Sequence, residues 1–213
     1  MRENRLKLKV CGMREAENII QLVQLKPDYM GFIFYAPSKR YVRALEQSTL
    51  DSIPSHVKKT GVFVNAALEE VNEKIDTYKL DAVQLHGNES PELCESLRAK
   101  KVEIIKAFGI DKDFDFGKLA VYSKVADYFL FDTKTDLHGG SGNTFDWSIL
   151  EGYTLDVPYF LSGGLSIENI GQVKSINDPK LYALDLNSRF ELEPAVKDIN
   201  KLTTVFNEIR TPF

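Results

Sequence analysis

Cysteine is scarce in this chain: Cys11 and Cys94 are the only two among 213 residues. Two thiols exclude a disulfide framework, and neither stands in a CxxC pair of the kind that binds metal. Histidine is nearly as rare, with His56, His86 and His138 alone; a metal-dependent barrel would want several at its strand ends. Basic charge is not in surplus, since 27 Lys and Arg face 31 Asp and Glu for a net charge of −4 and a pI near 5.5. That balance leaves no clustered basic surface for nucleic acid. No apolar run reaches the ~18 residues of a membrane span. The opening MRENRLKLKV lacks the apolar core of a signal peptide, so the expected place is the cytoplasm and no membrane partner is expected. Linkers and composition breaks are absent too. Residues 1–213, 43% hydrophobic and 27% charged, therefore read as one domain with a large core.

What is present begins with LKLKVCGMR. Leu6, Leu8 and Val10 share one parity, and Lys7, Lys9 and Cys11 the other; period-two alternation predicts a strand. The strand stops at Gly12 and sets Cys11 at its carboxyl end, where parallel-sheet proteins bind ligands. Ala16, Ile19, Ile20, Val23 and Leu25 then follow a helical period to Pro27. The same reasoning predicts strands over 29–34, 59–64, 82–85, 102–108, 128–131, 158–161 and 181–186. The apolar run at 29–34 fits a strand buried on both faces. Helices are expected over 45–53, 67–78, 119–125 and 195–210, with one opened by a Ser90 cap and Pro91, and another running from a Ser166 cap to 173. The segment 133–144 has no apolar periodicity and holds Gly139, Gly140 and Gly142, the mark of a functional loop.

Eight strands alternating with helices mean a parallel sheet, most simply an α/β fold of the closed (β/α)8 TIM barrel type. An open doubly wound sheet is the alternative. Lys7 and Lys9 favour the barrel, because an open sheet would bury both strand faces against apolar residues.

The strand ends then carry Cys11, the loop with Arg40, Asn65, His86, Asp132, the turn of Ser162, Gly163 and Gly164, and Asp185. A thiol and a carboxylate on separate strands can form an acid–base pair. A glycine turn before a helix suits a phosphate. Each signal has a plainer reading: Cys11 as a small buried hydrophobe, Asp132 as a turn cap, His86 as a satisfied structural histidine. Their joint placement favours a site. Cys94, on an apolar helix face, reads as core.

The segments KVCGM at 9–13, GFIFYAPSKRYV at 31–42, GVFVN at 61–65 and VQLHG at 83–87 resemble the phosphoribosylanthranilate isomerase family. So do FLFDT at 129–133, GGSGNTFDW at 139–147, SGGL at 162–165 and KD at 197–198. The resemblance implies an Amadori rearrangement in tryptophan biosynthesis, acting on a small-molecule phosphosugar without metal or organic cofactor. It assigns Cys11 as base, Asp132 as acid and Arg40 as receiver of the substrate carboxylate. It further implies substrate contacts at His86, Gly142, Ser162, Gly163, Gly164, Asn187, Ser188 and Arg189, and a loop at 139–142 that closes over the site. Many family members carry DVSSGVE after the last strand, where this chain has DLNSRFE. Arg189 thus replaces a glycine, and either keeps the same backbone and points away or joins the phosphate site. Lys9, of the same parity as Cys11, is expected to favour the thiolate. The assembly is expected to be a monomer or homodimer. Another phosphosugar barrel, such as an epimerase or indole-forming synthase, and a non-catalytic metabolite-binding barrel are the competing readings.

Overall fold

The computed structural model describes residues 5–133 and 146–211. Eight parallel strands close into a barrel in chain order. They are β1 (Lys7–Cys11), β2 (Tyr29–Ile33), β3 (Lys58–Phe63), β4 (Ala82–Leu85), β5 (Glu103–Ile110), β6 (Tyr128–Thr133), β7 (Tyr159–Leu161) and β8 (Leu181–Leu186). The ring shuts because β1 pairs on both sides, with Lys9 opposite Tyr29 of β2 and Asp185 of β8. Four helices lie outside it in sequence, α1 (Ala16–Val23), α2 (Gln47–Asp51), α3 (Leu68–Tyr78) and α4 (Pro91–Leu97). As expected, Ser90 caps α4 by accepting from Leu93 N–H, with Pro91 in the first turn.

Alternation along the strands makes two cores. Tyr29, Ala82, Ile105, Ala107, Leu130, Phe160 and Ala183 form a small buried cluster drawn from six strands, which fills the barrel interior. The opposite parity, including Leu8, Val10, Phe63, Val83, Phe129 and Leu184, packs under the helical layer. At roughly 25 cal/mol per Å2 of apolar surface removed from water, this outer layer supplies most of the drive to fold.

The second half departs from the expected helices. Residues 116–122 and 170–175 form 3-10 turns in place of the helices expected over 119–125 and 166–173, and a further 3-10 turn covers 147–152. Gly117 and Gly171 lower helix propensity in the first and last of these stretches. Ser166 is not a helix cap; its N–H donates to Asn169 Oδ1 at 2.8 Å, which builds a turn in place of the helix expected over 166–173. The helix expected over 195–210 begins only at Ile199, as α5 (Ile199–Arg210), because Asp198 caps it by accepting from Asn200 and Lys201 N–H. The residues before it form a hairpin of β9 (Glu191–Glu193) and β10 (Val196–Lys197), turning through Ala195 at φ 73°. Among the described residues no helix is long and apolar enough to cross a membrane.

Candidate active site

At the carboxyl ends of the strands, β1 turns Lys9 and Cys11 inward. Lys9 has no exposed surface, and its Nζ lies 2.7 Å from Asp185 Oδ2 on β8 and 2.8 Å from Gln84 Oε1 on β4. Burial alone would discharge it, yet Asp185 holds the ammonium above the ordinary lysine range. An ammonium can only donate, so Gln84 shows Lys9 its oxygen and turns its amide N–H2 to His86 Nδ1, 3.1 Å away. Nδ1 therefore accepts, and the ring proton sits on Nε2. That nitrogen faces Asp132 Oδ2 at 3.6 Å, too long for a hydrogen bond but close enough for its dipole to act. A line of polar contacts thus crosses the barrel from Asp185 through Lys9, Gln84 and His86 toward Asp132.

Asp132 is 8% exposed, and its Oδ1 accepts from Thr133 N–H at 2.8 Å. Burial pushes its carboxyl up to about 6; Asp185 adds to the rise, while the Thr133 bond and Lys9 oppose it. Cys11 is 3% exposed. The expected effect of Lys9 is present but outweighed. Lys9 and Lys197 do favour the thiolate, but burial is larger and the thiol titrates above its ordinary range. Cys94 is fully buried, and burial pushes its thiol up to about 11, which fits its reading as core.

Ser162, Gly163 and Gly164 follow β7 directly. Gly163 (φ 85°) admits no side chain, since a Cβ there would lie 2.4 Å from Thr133 Oγ1 and 2.8 Å from Asp132 Oδ1. The glycine thereby lets the turn lie against the acid. Asn169 Nδ2 donates to Gly164 O at 2.9 Å and fixes the turn from behind. Among the described residues the Gly163 and Gly164 N–H groups meet no acceptor, which leaves them available to an anion. No α-helix follows them, so the expected helix dipole is missing and the cradle rests on N–H groups alone. Across the mouth, residues 188–190 form a single 3-10 turn. Its ordinary negative φ suits Arg189 without strain. Arg189 is exposed and lies near the Glu168 carboxylate. Gly142 and the rest of 134–145 lie outside the described residues.

Arg40 reaches the mouth beside Cys11. Its Nε and Nη2 donate to Glu191 Oε1 and Oε2 at 2.8 and 2.6 Å. Glu191 Oε1 also accepts from Lys197 Nζ at 2.7 Å, and Lys197 donates to Asn187 Oδ1 at 2.7 Å. Gly12 (φ 79°) makes room for this group, for a Cβ there would lie 2.6 Å from Arg40 Cδ and 3.0 Å from Asn187 Oδ1. Gln84, Glu191 and Lys197 lie inside the segments VQLHG, DLNSRFE and KD quoted above, but no local pattern in those segments points to the contacts they make. Asn65, at φ 53°, serves the loops: its N–H donates to Glu89 Oε1, and its Oδ1 accepts from Asn88 N–H.

Comparison with known proteins agrees along the whole barrel. The family model described as N-(5'phosphoribosyl)anthranilate (PRA) isomerase matches residues 8–208. A protein of Parabacteroides distasonis named N-(5'-phosphoribosyl)anthranilate isomerase is 49% identical, over 96% of this chain and 94% of that one. The crystal structure of phosphoribosyl anthranilate isomerase from Thermotoga maritima superposes with a TM-score of 0.83 at 33% identity, covering 96% of this chain and 98% of the other. A structure of such an isomerase in complex with reduced 1-(o-carboxyphenylamino)-1-deoxyribulose 5-phosphate gives a TM-score of 0.79 at 30% identity, with coverage of 96% and 98%. On this span of agreement, the chain belongs to the phosphoribosylanthranilate isomerase family.

Proposed function

We propose that this isomerase divides the acid–base work of its reaction between Asp132 and Cys11. The protein converts N-(5-phosphoribosyl)anthranilate to 1-(o-carboxyphenylamino)-1-deoxyribulose 5-phosphate, a step of tryptophan biosynthesis. The observation that carries the assignment is the pair of nearly sealed groups on β1 and β6, with Lys9 in electrostatic reach of both. Asp132 gives its proton to the furanose ring oxygen, and the ring opens to an iminium. The Cys11 thiolate takes the proton from sugar carbon 2, and the electron pair moves to the substrate's own nitrogen to give an enolamine. That species tautomerises to the ketone, and the scheme calls on no metal or organic cofactor.

Three anchors orient the substrate in this reading. The N–H groups of Gly163 and Gly164, with the turn at Asn187 and Ser188, take the phosphate, and Ser162 and Arg189 flank it. Arg40 takes the ring carboxylate, and His86 aligns Asp132. Asp185 Oδ1 is buried and meets no partner among the described residues; an orphaned acceptor costs about 1–3 kcal/mol, and a sugar hydroxyl would relieve it. One barrel domain over 1–213 does this in the cytoplasm, as a monomer or homodimer and without a nucleic-acid partner. The test is the rate at which phosphoribosylanthranilate fluorescence is lost. Cys11→Ala and Asp132→Asn should each slow it by about 10²–10⁴-fold, the range for a positioned acid or base. Wild-type turnover in either variant would overturn the assignment.

A further inference from the structure

The hairpin of β9 and β10 takes no part in the chemistry above, yet it is built around Arg40. Glu191 is 6% exposed in its side chain and Lys197 has no exposed side chain. Glu191 is gripped from three directions: by the Nε and Nη2 edge of Arg40, by Lys197 Nζ, and by Ala195 N–H at 3.2 Å. Lys197 is itself clamped to α1, where Asn18 Oδ1 accepts from its N–H at 2.7 Å and Asn18 Nδ2 donates to its carbonyl at 3.0 Å. The carboxylate is therefore a fixed point, and Arg40 cannot swing without breaking a bidentate pair.

A guanidinium has two usable edges in one plane. Glu191 holds the Nε and Nη2 edge, and the Nη1 and Nη2 edge remains for a second carboxylate. The charges suit a second anion. Arg40 and Lys197 against Glu191 leave one positive charge, which an arriving carboxylate cancels. Without Lys197, the same arrival would leave two carboxylates on one cation.

We infer that Glu191 is a positioning residue. It holds Arg40 by one edge so that the other edge discriminates for ligands bearing the ring carboxylate. The inference rests on the reading of Arg40 as carboxylate receiver, and the test separates the two. The ligands are reduced 1-(o-carboxyphenylamino)-1-deoxyribulose 5-phosphate and the same compound without its ring carboxylate. Calorimetric titration gives their ratio of Kd for the wild type, Glu191→Gln, Glu191→Asp and Arg40→Ala.

The wild type should prefer the carboxylated ligand by about tenfold or more, as a charge-assisted contact implies. Glu191→Gln should bring the ratio below about threefold, with the affinity for the other ligand changed by less than about twofold, because only the aim of Arg40 is lost. Glu191→Asp, which keeps the charge one methylene shorter, should fall between them. Arg40→Ala should bring the ratio close to one. A wild-type ratio in Glu191→Gln, including an equal loss of both ligands, overturns the positioning role while Arg40→Ala still reports on Arg40. A wild-type ratio in Arg40→Ala overturns the underlying reading instead. Should Glu191→Gln fail to fold, a full wild-type ratio in Glu191→Asp overturns the inference.

Discussion

Replacing Asp132 by Asn should inactivate the protein and make it more stable. Burial raises the Asp132 carboxyl from 3.8 to about 6. At 1.36 kcal/mol per unit, holding the ionised form in the folded site at neutral pH costs about 3 kcal/mol. Asn carries no charge to desolvate, and its Oδ1 can keep the bond from Thr133 N–H. Its N–H2 would face His86 Nε2–H, and that donor-to-donor contact returns about 1 kcal/mol. The net gain is then about 2 kcal/mol, or about 4–8 °C in Tm for a chain of this length. The sign follows from linkage. The folded pKa lies above the unfolded one, so between about pH 4 and 6 the unfolded chain sheds a proton that the folded one keeps. The wild type loses stability as pH rises through that window, and the variant does not. Denaturant unfolding at pH 7.5 and at pH 4 should show the variant about 2 kcal/mol more stable at the first and, with only the donor-to-donor contact left, about 1 kcal/mol less stable at the second. An Asn variant no more stable than the wild type at pH 7.5, or an advantage that persists undiminished at pH 4, refutes the reasoning.

Two further outcomes are expected. Cys94→Ala should leave kcat unchanged and cost about 1 kcal/mol of stability, since it deletes one buried heavy atom; inactivity there would move the reactive thiol from β1 to α4. Because Asp132 titrates near 6 and burial holds the Cys11 thiol above its ordinary range, the pair holds one proton over the interval between them. A pH–rate series should therefore give a kcat/KM that rises through about pH 6, stays flat through neutrality and falls only in the alkaline range, and a narrow maximum near neutrality would detach one of the two groups from the chemistry.

The strands were legible because each is declared locally. Alternation marks β1, and apolar runs bounded by turn residues mark β2 and β8. Their carboxyl ends followed at once, and with them Cys11, His86, Asp132 and the Ser162 turn. What stayed hidden depends on contacts far apart in the chain. Lys9 meets Gln84 across 75 positions and Asp185 across 176, and Asn18 clamps Lys197 across 179. No local window contains those pairs. The hairpin was hidden for a second reason: ELEPAVK at 191–197 is too short and too charged to show a period, so its residues merged with the helix behind them. The helices of the second half failed where propensity is weak and packing decides.

The pattern of charge around the two reacting groups is unequal, and the inequality has a direction. The substrate brings a phosphate and a carboxylate. Added anions raise the pKa of any neighbouring acid, so binding pushes Asp132 further toward the protonated form that the proposed first step would consume. The same anions would also protonate Cys11 and disarm the base. The cations are placed against that outcome. Lys9, Arg40 and Lys197 all couple to the thiol, whereas of these only Lys9 appears among the groups acting on Asp132. If Arg40 receives the carboxylate as proposed, the anion arrives on the Cys11 side and finds a cation already in place. The charge felt by Asp132 rises on binding while that felt by Cys11 is screened. With the acid and base roles proposed above, one substrate would thereby raise the pKa of the acid while largely sparing that of the base. That separation asks nothing of the residues' intrinsic acidity. It asks only that the hairpin of β9 and β10 bring Lys197, and hold Arg40 through Glu191, on the β1 side of the barrel mouth and not on the β6 side.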